Sequence, residues 1–351
     1  MTLAEKTRTL HGVNLAGWLI LEPWVTPAVF ASTASLDEET LANRLGRDEY
    51  ARVVREHRDS FITEHDFLRI SSRGYDAVRL PVPWHVFGRS GPFPGAHEAS
   101  IDYVDAAFNW ADAAGLKILL DLALVPGATL SNDGLSMSFD LTPARREAIL
   151  DVAAALAERY AQRSAFLGIE PLDETVSQRR RGLIMTEGIP LSYLRNLYRD
   201  AYAAIRRVAG TGPVVVFSDA GQPGAWRRFM AHDRYENVWL DTHPYRHTDK
   251  VDAAGPAGAR LLATRSADEL AKARTSGLPV MVGEWSAALP LADPMMTAEG
   301  RIALERIYVS RQLAAYDGCP AWFFQTWKTA ARLSAWDARI TLSSFERDML
   351  D

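Results

Sequence analysis

Eight short apolar runs, each giving way to polar residues, recur along this 351-residue chain with helix-like stretches between most of them. They occupy residues 12–15, 77–80, 117–122, 166–169, 214–217, 238–240, 280–282 and 322–324. These runs are apolar on both faces, which is the pattern of parallel strands covered by helices rather than by water. A doubly wound open sheet has fewer strands and a glycine-rich first turn, and no G-x-G-x-x-G motif is present. The expected fold class is therefore α/β, a single (β/α)8 TIM barrel spanning residues 1–351.

Helix boundaries are written between the runs. Thr63 with Asp66, Thr142 before Pro143, and Ser266 with Glu269 read as helix starts, the last as a capping box. Gly74, Gly115 and Gly210 each precede a strand, where a left-handed residue would end a helix. The first connection, roughly residues 21–74, is long but holds two helical stretches of its own. No internal repeat interrupts the series.

Composition then removes several classes of function. A net charge of −5, with no basic residues interleaved with aromatics, gives nucleic acid or an anionic membrane little to bind. The block Arg179–Arg181 reads as a solvated loop. Cys319 is the only cysteine, so neither an intrachain disulfide nor a cysteine metal site can form. The first ten residues lack an apolar core segment and no run is long enough to span a bilayer, so a cytoplasmic location is expected. Nothing in the sequence speaks to oligomeric state.

In a barrel, chemistry collects at the C-terminal ends of the strands. Here those ends carry Arg79; Asp121; Glu170, Asp173 and Glu174; Asp241 and His243; Glu284; and Gln325. Two glutamates past different strands are what a retaining glycosidase needs, one carboxylate to attack the anomeric carbon and one acid to protonate the leaving oxygen. Glu174 and Glu284 fit that description. Metal chemistry is the competing use of such carboxylates, but only His243 lies just past a strand and no H-x-H or H-E-x-x-H spacing occurs, so neither metal nor cofactor is expected. A serine hydrolase would need a G-x-S-x-G elbow, which is missing.

At these residues the chain resembles glycoside hydrolase family 5, and within it the exo-β-1,3-glucanase-like branch. The likeness is carried by His11-Gly-Val-Asn-Leu-Ala-Gly-Trp-Leu-Ile-Leu-Glu-Pro-Trp24, Phe61-Ile-Thr-Glu64, Val78-Arg-Leu-Pro81, Gly168-Ile-Glu-Pro-Leu-Asp-Glu174, His243-Pro-Tyr245, Val282-Gly-Glu-Trp-Ser-Ala287 and Trp322-Phe-Phe-Gln-Thr-Trp-Lys328. The resemblance implies Glu174 as acid/base and Glu284 as nucleophile, with double displacement on a β-linked small-molecule or oligosaccharide glycoside. It implies that Arg79 orients the nucleophile and keeps it ionised, that His243 and Tyr245 line the sugar site, that Trp327 forms an aromatic wall under the sugar, and that Glu22 holds distal hydroxyls.

Three positions depart from the family pattern. Asp173-Glu174-Thr175 stands where the family has Asn-Glu-Pro, Ala123 follows Asp121-Leu122 where a histidine is usual, and Gln325 replaces a tryptophan. An ionised aspartate can only accept a hydrogen bond where the asparagine amide donates one to the sugar 2-hydroxyl, which suits a 2-amino sugar. It should also raise the pKa of Glu174 by like-charge repulsion. Two further readings stay open on sequence: a transglycosylase or tailoring enzyme of a small glycosylated metabolite, and a sugar-binding protein that no longer cleaves.

Overall fold

The computed structural model describes residues 8–88, 98–125, 128–130, 137–139, 142–181, 184–186, 188–250, 255–290 and 296–345. Eight parallel strands close into a barrel: β1 (Leu10–Asn14), β2 (Ala77–Pro83), β3 (Lys117–Leu124), β4 (Phe166–Glu170), β5 (Val214–Ser218), β6 (Val238–Thr242), β7 (Val280–Trp285) and β8 (Ala321–Phe324). Each strand pairs with its neighbours in sequence, and β1 closes the ring against β8 in the register Leu10 to Ala321 and Val13 to Phe324. The expected barrel is observed.

The alternation of side chains along each strand explains how the site is built. Ala77, Leu119, Val214, Val216, Met281, Ala321 and Phe323 form one buried cluster inside the barrel. The residues between them in sequence, such as Val78, Ile118, Val215, Val282 and Phe324, belong to the larger core between barrel and helices. Two residues further along the inward row, at the C-terminal ends, the apolar layer gives way to Asn14, Arg79, Asp121, Ser218, Asp241 and Gln325, with Glu170 at the matching end of β4. Gly12 belongs to the same inward row because a Cβ there would come within 2.3 Å of the Phe323 ring. Each fully buried aliphatic or aromatic residue in these layers contributes about 1.5–3 kcal/mol, which anchors the polar rim above.

Helices cover the outside: α1 (Pro27–Phe30), α2 (Glu38–Leu45), α3 (Arg47–Phe61) and α4 (Glu64–Ser72) between β1 and β2, then α5 (Ile101–Ala114), α6 (Pro143–Tyr160), α7 (Leu191–Ala209), α8 (Pro256–Arg274), α9 (Ala298–Tyr316) and α10 (Ala338–Thr341). The first connection thus carries four helices rather than two. Thr63 and Asp66 form the expected capping box, Thr142 accepts from the Arg145 amide ahead of Pro143, and Gly115 ends α5 in the left-handed conformation. Between β5 and β6 the described crossover has only a 3-10 turn, Pro223–Trp226.

Two local expectations are corrected. Ser266 does not start a helix: α8 begins at Pro256, and the buried Ser266 hydroxyl donates to the Pro244 carbonyl at 3.1 Å instead of capping. Arg180–Arg181 are not a plain loop but pair antiparallel with Ile184–Met185. No helix among the described residues is long and apolar enough to cross a membrane.

Candidate active site

Arg79, on the inward row of β2 and without exposed surface, is the hub of the rim. Its Nη1 donates to Glu284 Oε1 at 2.7 Å and to Asn14 Oδ1 at 3.2 Å. Its Nη2 faces Asp121 Oδ2, Glu170 Oε2 and Asp173 Oδ1 at 3.1, 3.0 and 3.0 Å. A buried guanidinium survives only with such compensation, and its fork reaches several carboxylates at once. Oxygens of Asp121, Glu170 and Asp173 lie within 4.8 Å of one another, close enough to ligate a metal ion. The Arg79 guanidinium already fills the cation's place among them.

Glu284 sits near the end of β7, where the register against β8 shifts between Val282 and Trp285 and turns the carboxyl toward the lumen. Besides Arg79, it accepts from the Tyr245 hydroxyl at 2.8 Å on Oε2. Its neighbour must be glycine: a Cβ on Gly283 would lie 1.7 Å from Asp241 Oδ2. Asp241 uses that space to accept from the Gly283 amide at 2.5 Å and to face His243 Nε2 at 3.1 Å.

Glu174 follows β4 with φ of +38°, in the left-handed region that costs a non-glycine residue about 1–3 kcal/mol. Asp173 Oδ1 holds the strained turn by accepting from the Glu174 amide at 2.7 Å. Glu174 Oε1 meets His243 Nδ1 at 2.8 Å, and one oxygen each of Glu174 and Glu284 lie within 4.8 Å of each other. That separation matches the roughly 5 Å of retaining glycosidases and is shorter than the 6.5–9.5 Å that inverting enzymes keep for a water.

The electrostatics separate the two carboxyls. Burial, then the charge of Glu284, push Glu174 up to about 8, with Asp173 adding a smaller push and His243 opposing. The sequence-based expectation for Asp173 has the right sign, but burial and Glu284 outweigh it. Burial also raises Glu284, while His243, Arg79 and the Tyr245 hydrogen bond pull it back. The expectation that Arg79 keeps the nucleophile position ionised is thus modified: the guanidinium opposes a burial effect that is larger. Burial alone would lower His243, but Asp241, Asp173 and Glu284 raise it well above its ordinary value. With an acid on each ring nitrogen, the protonated form of His243 is favoured and can donate both ways.

Glu22 lies at the edge of the site. Its Oε1 accepts from the Gly17 amide at 3.0 Å and its Oε2 from Trp24 Nε1 at 2.8 Å. Burial, then the charge of Glu284, raise it to about 7. Gln325 stands on the inward row of β8, 6% exposed.

Trp327 is a correction. It is fully buried, its indole donates to Asp66 of α4 at 2.9 Å, and Arg73 and Tyr75 pack on it. A side chain with no exposed surface cannot form a wall for a sugar. An aromatic cluster stands beside Tyr245 instead: Trp336 packs at 5.2 Å on Trp24, 5.6 Å on Tyr245 and 5.2 Å on His247, all four partly exposed. Sequence reasoning missed Trp336, and also Asn14, whose Nδ2 donates to the Gly283 carbonyl at 2.9 Å while its Oδ1 supports Arg79. The alternation along β1 from Gly12 was the signal for Asn14; Trp336 has none, because a later loop brings it back.

A (β/α)8 barrel with an opposed carboxyl pair at this spacing defines the class, a retaining glycosidase. Residues 52–301 match the family model described as "Cellulase (glycosyl hydrolase family 5)", and the chain belongs to glycoside hydrolase family 5. It is 32% identical to a probable glucan 1,3-beta-glucosidase A of Aspergillus niger, over 97% of this chain and 87% of that protein. Among solved structures, a rutinosidase from Aspergillus niger superposes with a TM-score of 0.76 at 16% identity, covering 100% of both chains. A glycoside hydrolase family 5 enzyme from Prevotella bryantii B14 gives 0.63 at 15% identity, covering 98% of this chain and 96% of that one. The protein is a retaining β-glycosidase that acts on glycoside or oligosaccharide substrates.

Proposed function

We propose that Glu284 is the nucleophile and Glu174 the acid/base of this β-glycosidase, and that it releases a sugar from the end of a small β-glycoside or β-linked oligosaccharide. The observation that carries this reading is the separation of the two carboxyl oxygens, within 4.8 Å across the barrel mouth. The relatives named as glucan 1,3-beta-glucosidases support a terminal β-glucoside as substrate.

In the first step a Glu284 oxygen bonds to the anomeric carbon as the glycosidic C–O bond breaks, and the proton on Glu174 passes to the departing oxygen. Arg79 and Tyr245 hold Glu284 in line, while His243 donates to Glu174 Oε1 and leaves the acid's proton to its other oxygen. In the second step the now ionised Glu174 takes a proton from water, whose oxygen attacks the anomeric carbon and displaces Glu284. Product and free carboxyls are restored with no net charge change.

An aryl β-glucoside series tests these roles. Glu284→Gln is expected to lower kcat/KM by about 1,000-fold or more with every leaving group, and unchanged turnover would reject Glu284 as nucleophile. Glu174→Ala is expected to lose about 100- to 10,000-fold with a poor leaving group but far less with a dinitrophenolate, which needs no proton. Equal losses with both leaving groups would reject the acid role.

A further inference from the structure

Resting on that reading, we propose that the sugar held between Glu174 and Glu284 carries an ammonium group on the carbon next to its anomeric centre, bound by Asp173.

The argument begins with which hydrogen-bonding groups are already used. Arg79 donates to Glu284 and Asn14 and faces three more carboxylates; His243 faces Glu174 and Asp241; the Tyr245 hydroxyl donates to Glu284; Trp24 donates to Glu22; and Asn14 donates to Gly283. These five donors all point at protein oxygens. Acceptors remain in surplus. Asp173 Oδ1 accepts from the Glu174 amide at 2.7 Å and faces Arg79 at 3.0 Å and His243 at 3.8 Å, while Oδ2 carries no hydrogen bond among the described residues. Gln325 Oε1, on the inward row of β8 and 6% exposed as a residue, likewise accepts no bond among them, and the amide's Nε2 is the one neutral donor left beside it.

A ligand for such a place should bring donors and few acceptors. A hydroxyl does both, whereas an ammonium offers three donors and a positive charge. Charge points the same way: Asp173 and Glu284 face the site with Glu22 at its edge, and its two cations, Arg79 and His243, are each already shared among several acids.

Position follows from the catalytic pair. Asp173 adjoins Glu174 in the chain and, through Arg79, lies one guanidinium away from Glu284. The anomeric carbon must sit between those two carboxyls, and the substituent we assign to Asp173 is the one on the neighbouring carbon. The ring oxygen on the other side carries no substituent.

The test compares 4-nitrophenyl 2-amino-2-deoxy-β-D-glucopyranoside with its glucoside and N-acetylglucosaminide counterparts, alongside calorimetric binding of free glucosamine, glucose and N-acetylglucosamine to the intact protein. The amino sugar is expected to lead in kcat/KM and in affinity by tenfold or more over both neutral sugars, and Asp173→Asn is expected to erase that lead. Preference for the glucoside or for glucose in the unaltered protein would overturn the proposal, as would a lead that survives Asp173→Asn. Should all three aryl glycosides stay intact, the hydrolytic roles above would fall, while the ranking of free sugars would still decide this inference.

Discussion

His243 shows how much of the site's behaviour is set residue by residue. It is wedged between Glu174 and Asp241, its protonated form is favoured, and its Nδ1 keeps one oxygen of Glu174 occupied. In the proposed mechanism the acid is Glu174, raised to about 8, and its protonated form is the active one. As pH rises through about 8 that form is lost, so kcat/KM on a glycoside with a poor leaving group should fall on the alkaline side with a midpoint near that value. In the same proposal the acid limb belongs to Glu284, which must be ionised to attack. Because the Tyr245 hydroxyl stabilises the ionised form, Tyr245→Phe should raise the nucleophile's pKa and move the acid limb to higher pH, with a lower plateau. A pH–rate profile of the two proteins side by side checks both, and an acid limb left in place would remove Tyr245 from the charge balance.

At the level of strands and helices, close packing decides which side chains can reach the rim. Gly283 is the tightest point: a methyl group there collides with Asp241, the partner that orients His243. Gly283→Ala should displace that chain of groups by a fraction of an ångström to an ångström and lower kcat/KM by about 100-fold, with binding of a sugar less affected. Wild-type kinetics in that variant would mean that the Asp241–His243 link does not position Glu174. Trp327 supplies the opposite case, an aromatic residue beside the site's motif that serves the fold. Trp327→Phe removes the donor to Asp66 and should cost about 1–3 kcal/mol of unfolding free energy while KM stays within about twofold, measured by denaturant melts and steady-state kinetics. The contrast marks what was legible in the sequence. Strand ends could be read because apolar runs stop where the lumen turns polar, which gave Arg79, Asp173, Glu174, His243, Glu284 and Gln325 their places. Trp327 could not be assigned because three residues beyond the end of β8 the strand alternation no longer fixes which way a side chain points. Trp336 was hidden for a related reason: its place beside Tyr245 depends on the path of the chain after β8, which no local periodicity encodes. Ser266 misled because a Ser-x-x-Glu spacing is also met inside a helix, where tertiary contacts to Pro244 and Arg246 use both side chains.

For the molecule as a whole, assembling so many acids around one lumen has a cost that depends on pH. Glu174 is raised to about 8 and Glu22 to about 7, both by burial first, and Glu305 of α9, buried outside the rim with Ser334 as its hydrogen-bond partner, is also raised to about 7 by burial. A carboxyl whose folded pKa lies above its unfolded one binds more protons in the native state, so stability falls as pH climbs from the unfolded value through the folded one. Part-buried His11 and buried His57, lowered chiefly by desolvation, act in the other direction, but their effect is complete once pH exceeds the ordinary histidine value. Between about pH 6.5 and 8.5 the raised acids are therefore left to set the slope, joined by His243, which gives up stability as pH rises toward its elevated folded value. The melting temperature should decline across that window, and Glu305→Gln, which removes one contributor without touching the sugar site, should flatten the decline. Each unit of pKa difference corresponds to about 1.4 kcal/mol, so the variant should melt higher than the parent by a few degrees at pH 8.5 and show little advantage at pH 4, below the ordinary carboxyl value. Calorimetric scans of both proteins at those two pH values test the sign, and equal gains at both would show that Glu305 acts through packing and not through its charge.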